Sequence, residues 1–172
     1  AHPDPVIRDG LAYTTLAGWL RTDAISPAAR AGLMRDLLAA LAPGQPDPEG
    51  FHAPFAALAL AEVARTDRVA AWLSVEERET LVSAAANYLS GVRDYRGFTD
   101  GEGWRHGVAH GADLMLQLAL NPRLSRADAD RLLAAIAAQV APAASPYYVH
   151  AEPGRLAGPI LYLARRSDID DA

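Results

Sequence analysis

Ser74-Val75-Glu76-Glu77-Arg78-Glu79-Thr80-Leu81-Val82-Ser83-Ala84-Ala85-Ala86-Asn87-Tyr88-Leu89 opens like a helix and continues like one. Ser74 followed three residues later by Glu77 is a capping box, in which each side chain satisfies the other's backbone N–H. Leu81, Val82, Tyr88 and Leu89 then recur at the helical period. The same grammar repeats along the chain. Asp4-Pro5 supplies a cap and a proline at the first helical position, opening a helix to about Leu20 with Val6, Leu11, Leu16, Trp19 and Leu20 as its apolar residues. Ser26-Pro27 opens a second, with Leu33, Leu37, Leu38 and Leu41. A third is expected over about Phe51–Arg65, with Phe51, Phe55, Leu58 and Val63 towards the core. Ser125 begins another over Arg126–Val140, and a last runs over about Pro153–Arg166, interrupted by Pro159.

Composition agrees with this pattern. Of 172 residues, 37 are Ala and 22 are Leu, and only 7% are aromatic, so strand formers are scarce. The fold class is therefore all-α: about seven helices in antiparallel hairpins, an α-solenoid (HEAT-like) or α-α superhelix fragment, with a globular bundle as the rival. One helical domain over 1–172 is expected, its acidic end 167–172 frayed. The chain has no Cys, which excludes disulfides, thiolate zinc sites and cysteine nucleophiles. All 16 basic residues are Arg, which excludes Schiff-base lysine chemistry and a P-loop. A net charge of −5 argues against a nucleic-acid partner, and no apolar run reaches the ~20 residues of a membrane span. Cytoplasmic placement is the default. A removed leader ahead of Ala1 would make the chain exported or periplasmic.

The chemistry is concentrated in Arg93–Asp113. A helix over about Trp104–Leu120 would place His106, His110, Asp113 and Gln117, spaced 4, 3 and 4, within an arc of roughly 60°. Gly103, Gly107 and Gly111 recur every fourth residue beside them. Two histidines one turn apart can share a metal ion, so His106, His110 and Asp113 are candidate ligands of a divalent metal such as zinc. His52, His150 and Glu152 are less local candidates for the third ligand. Gly107 stands where the zinc-protease motif carries its general-base Glu, which removes the usual water-activating group. The structural alternative is a polar network in which Asp94, Glu102 and Asp113 hold His106, His110, Arg96 and Arg105. Arg93, Arg96 and Arg105 with Tyr95, Phe98 and Trp104 suit an anion, although Asp94, Asp100 and Glu102 favour internal pairing.

Asp4–Tyr13, Arg93–Phe98, Gly103–Asp113 and Glu152-Pro153-Gly154-Arg155-Leu156-Ala157 together resemble a bacterial family catalogued as domain of unknown function 2785. The resemblance implies an all-α, HEAT-like fold with no established activity. It implies a shared polar centre of Trp104, His106, His110 and Asp113 with Asp94 and Arg96 beside them. Arg105 and Gly107 depart from the small apolar residues, commonly Ala, of that pattern. No cofactor is predicted beyond the divalent metal that the spacing of His106, His110 and Asp113 allows. The leading functional expectation is a module binding a protein, peptide or small ligand through 93–113. A metal-dependent hydrolase using His106, His110 and Asp113 is the alternative, with Glu102 or Asp94 as general base.

Overall fold

The computed structural model describes residues 2–143 and 146–167, and these are mostly helical. A π-helical segment, Val6–Tyr13, runs directly into α1 (Thr14–Arg21). Then follow α2 (Pro27–Ala40), α3 (His52–Val69) and α4 (Val75–Gly91). A short hairpin, β1 (Phe98–Thr99) and β2 (Gly103–Trp104), precedes α5 (Gly107–Ala119), α6 (Arg126–Val140) and α7 (Glu152–Leu163). The expected acidic tail falls, but for Ser167, outside the described residues. No described helix is long and apolar enough to cross a membrane.

Local chemistry explains most boundaries. Ser26, Ser74 and Ser125 each accept a hydrogen bond from the third backbone N–H beyond them, and Glu77 completes the capping box on Ser74. The third helix runs to Val69, past the expected Arg65. Beyond its end, Asp67 accepts from the N–H groups of Trp72 and Leu73 and so organises the turn into α4. The first helix is continuous as expected, but its leading half is π-wound. A spacing of five residues per bonded turn lets Arg8 and Tyr13 both face α3. Of its apolar residues, Val6, Leu11 and Trp19 stay exposed. Among the described residues no further helix covers this outer side.

Direction follows from residue pairs. Phe55 meets His110 and Asp67 meets Asn121, so α3 and α5 run the same way. His106 meets His150, Asp113 meets Arg155 and Asn121 meets Arg166, so α7 runs parallel to α5. On the other side, Ser83–Arg131 and Leu89–Gln139 make α4 and α6 parallel. Tyr88, late in α4, bonds the carbonyl of Gly107, where α5 starts, so α4 and α5 are antiparallel. Between these helices lies an aliphatic core that includes Leu60, Leu81, Leu89, Leu114, Met115, Leu118, Leu132 and Ile136, all fully buried. The N-termini of α3, α5 and α7 consequently gather at one end of the molecule. The 93–106 connection and the chain start lie across that end.

Two buried arginines fasten that end. Arg8 and Arg105 each lie over the ring of Phe51, 3.9 and 4.3 Å from its centroid. Arg8 donates to the carbonyls of His2, Pro3 and Glu102, and Arg105 to those of Glu49 and to the Glu102 carboxylate. Arg105 therefore points away from His106 and ties the 43–50 loop to the hairpin.

Candidate functional site

The helix expected from Trp104 begins only at Gly107. Trp104 is in β2, and His106 is the residue before the helix, in the left-handed region at φ 55°. The hairpin sets this corner. Arg96 and Gly97 accept through their carbonyls from the N–H groups of His106 and Arg105, extending the β1–β2 pairing. The four-residue spacing thus does not put His106 on the helical face of His110 and Asp113. Its ring nevertheless comes within 5.8 Å of the His110 ring, centroid to centroid.

His106, His110, Trp104 and Arg155 line one cleft of about 380 Å³, together with Asp9, Tyr13, Phe55, Leu58 and His150. Trp104 stacks on His106 at 4.6 Å and 22°. On the other side of the ring, His106 Nε2 lies 3.0 Å from the His150 carbonyl and 3.3 Å from Glu152 Oε1. Glu152 is buried and accepts from the His150 N–H through its other oxygen. Ala151 between them is also left-handed, at φ 66°. A non-glycine residue in that region costs about 1–2 kcal/mol. Here two such residues aim the His150 carbonyl and the Glu152 carboxylate at one imidazole.

Burial lowers the His106 pKa below its ordinary value, against the attraction of Glu152. Burial, reinforced by His106, pushes His110 down to about 3, so its ring is neutral. His110 packs edge-on against Phe55 at 5.1 Å, its ring feels the Pro54 backbone, and its buried Nδ1 makes no hydrogen bond among the described residues. Asp113 accepts from Arg155 Nη1 at 2.6 and 2.7 Å. Burial holds its carboxyl above the ordinary value even so. Beyond it, Tyr13 and Arg21 both donate to Glu62, which is buried.

Asp94 and Arg96 do not join this group. They pair with each other over Gly50, where Asp94 lines a separate pocket with Tyr88 and Arg93. Burial acts to raise the Asp94 carboxyl, but the hydrogen bonds from Arg96 outweigh it and hold the group below its ordinary value. Among the described residues no three His, Asp or Glu side chains converge as a metal-holding group. For a metal to take His106, His110 and Asp113, Asp113 would first have to leave Arg155. Tyr148 packs against the core and Tyr147 is exposed, so the 146–148 loop closes the core with one ring only.

Spacing missed Glu152 as the partner of His106, and it missed Arg155. Both lie in the Glu152–Ala157 stretch, which was the available signal. The family model described as protein of unknown function DUF2785 matches residues 38–172. The chain belongs to this family. All the DUF2785 site residues named above lie inside the match except Asp9, Tyr13 and Arg21. The Asp4–Tyr13 stretch likewise precedes the match. Neither the curated proteins nor the solved structures hold a match to the chain.

The hairpin and His150 fit with no room to spare. A Cβ on Gly97 would fall 2.0 Å from His150 Cδ2. Gly97→Ala is therefore expected to displace His150 and its carbonyl from His106, at a cost of about 1–3 kcal/mol. Urea unfolding measures the cost. The fluorescence of Trp104, stacked on His106, reports the displacement.

Proposed function

We propose that this DUF2785 chain is a helical-repeat binding module, an α-solenoid of antiparallel hairpins. Its ligand is a small planar molecule seated in the His106–His110 cleft. The parallel runs of α3, α5 and α7 on one side and α4 and α6 on the other support the solenoid reading, since stacked hairpins produce that alternation. The observation that carries the binding reading is the cleft itself, where ring surfaces meet the half-exposed Arg155 guanidinium. His110 Nδ1 lies buried behind this surface with no hydrogen bond among the described residues, which costs about 1–3 kcal/mol, and a ligand N–H or O–H would recover it only once the ring turns towards the cleft. Tyr13, Phe55 and Trp104 supply ring surfaces for a planar molecule, and the cleft's volume suits a small molecule better than a protein surface.

Indole is a suitable probe, being planar with one N–H donor. Titrating it into the protein is expected to shift the NMR signals of the Trp104 and His110 side chains in a saturable way. His110→Phe, which keeps the ring against Phe55 and removes the acceptor, should weaken binding at least fivefold. Equal affinity for both proteins would refute the role of His110.

A further inference from the structure

His106 is held on every side except one. Its Nε2 faces two acceptors, the His150 carbonyl at 3.0 Å and Glu152 Oε1 at 3.3 Å, so this nitrogen carries the proton. Its Nδ1 then carries the lone pair. That atom makes no capping bond to α5, and no hydrogen bond from a described residue reaches it. The ring is stacked on Trp104 and its backbone is fixed left-handed. Buried carboxylate, imidazole tautomer and unbonded nitrogen form the arrangement in which a carboxylate orients a histidine base. Strained backbone at His106 and Ala151 is of the kind that persists where geometry must be held for function.

Arg155 stands on the same cleft. One guanidinium nitrogen is committed to Asp113, while its other N–H groups bond no described residue and the side chain is half exposed. We propose that the cleft is a hydrolytic site for a small ester, with His106 Nδ1 as general base, Arg155 as the group facing the oxyanion, and Glu152 as the positioning residue. This rests on the cleft being a ligand site and adds a reaction to it.

The step balances without a co-reactant. Water oxygen bonds to the ester carbonyl carbon while its proton passes to His106 Nδ1, and the carbonyl π pair moves onto the oxygen facing Arg155. Collapse of the adduct breaks the bond to the leaving oxygen, which takes the proton back from Nδ1. Acid and alcohol leave, and His106 is neutral again. Its lowered pKa keeps it in the basic form at neutral pH.

The probe is 4-nitrophenyl acetate with the full chain. Imidazole itself cleaves this ester, so the exposed His2 and His52 set a background that His106→Gln retains and the comparison removes. The release rate of 4-nitrophenol is expected to fall at least tenfold in His106→Gln. Glu152→Gln is the more informative variant. Its amide oxygen can keep the His150 N–H, and its amide NH2 then faces His106 Nε2 as a donor. Nε2 keeps its proton for the His150 carbonyl at 3.0 Å, so two donors face each other and the charge that oriented the ring is gone. Fold is kept, turnover falls, and the 15N shifts of the His106 ring still show the proton on Nε2.

In the unsubstituted protein those shifts must show the proton on Nε2, a readout that needs no variant to fold. A proton on Nδ1, or a His106→Gln rate within twofold of the original, overturns the proposal. Indole binding that persists without His106-dependent turnover overturns hydrolysis and leaves the binding module standing. Turnover without indole binding does the reverse.

Discussion

Asp67→Ala is expected to destabilise the protein by about 3–5 kcal/mol, a large part of the roughly 5–15 kcal/mol that holds a domain of this size. The carboxylate is 1% exposed and receives five hydrogen bonds. Two come from the Trp72 and Leu73 N–H groups, both at 3.0 Å, and one from Asn121 Nδ2 at 2.8 Å. Two more come from Arg78, through Nε at 2.9 Å and Nη2 at 3.3 Å. One side chain thus joins α3, the turn into α4, α4 itself and the end of α5. Removing it strands the Arg78 charge in a buried site with only the Leu73 carbonyl beside it. Urea unfolding of Asp67→Ala, Arg78→Met and the double variant separates the causes. The double variant should be less destabilised than the sum of the singles, because it leaves no buried charge unpaired. Strict additivity would show that the ion pair is not the source.

Local signals account for what could be read from the sequence and for what could not. Capping residues act within one turn, so Ser26, Ser74 and Ser125 located three helix starts. Gly107 is different. Nothing within its own turn says that the helix waits for it, since the left-handed corner at His106 is set by pairing with Arg96 and Gly97, nine or ten residues earlier. Trp104, His106, His110 and Asp113 do meet or adjoin one another as the motif suggested. Asp94 and Arg96 pair locally and face Gly50 instead, because a two-residue spacing in a loop lets them satisfy each other. Glu152 reaches His106 across 46 positions, and Arg8 reaches Phe51 across 43. Such contacts leave no periodicity for a reader to find. The outer residues Val6, Leu11 and Trp19 show the converse limit: an apolar stripe states that a face prefers burial, not that a neighbour exists to bury it.

Acid should weaken the fold well before its carboxylates titrate, and His110 should be the main cause. An unfolded histidine takes up its proton near pH 6.5, whereas His110 in the folded protein waits until about pH 3. Between those values the unfolded chain binds a proton that the folded one refuses. The contribution is fully present above pH 6.5 and is lost progressively as pH falls towards 3, at about 1.4 kcal/mol per pH unit. His106 is lowered too, by burial, and adds to the same loss. Two carboxylates act in a lower window. Asp113, raised above 3.8 by burial, favours the folded state as pH falls through its folded value. Asp67 is the opposite case. Burial tends to raise it, but the bonds from Arg78, Leu73, Trp72 and Asn121 outweigh that and lower it, so its contribution disappears below 3.8. Urea unfolding at pH 7.5, 6.5, 5.5 and 4.5 should therefore show stability falling by about 2–3 kcal/mol between the second and last of these. His110→Phe, with no proton to take up, should flatten that slope by at least half while leaving the ring contact with Phe55. If both proteins lose stability in parallel, His110 is not a buried neutral base.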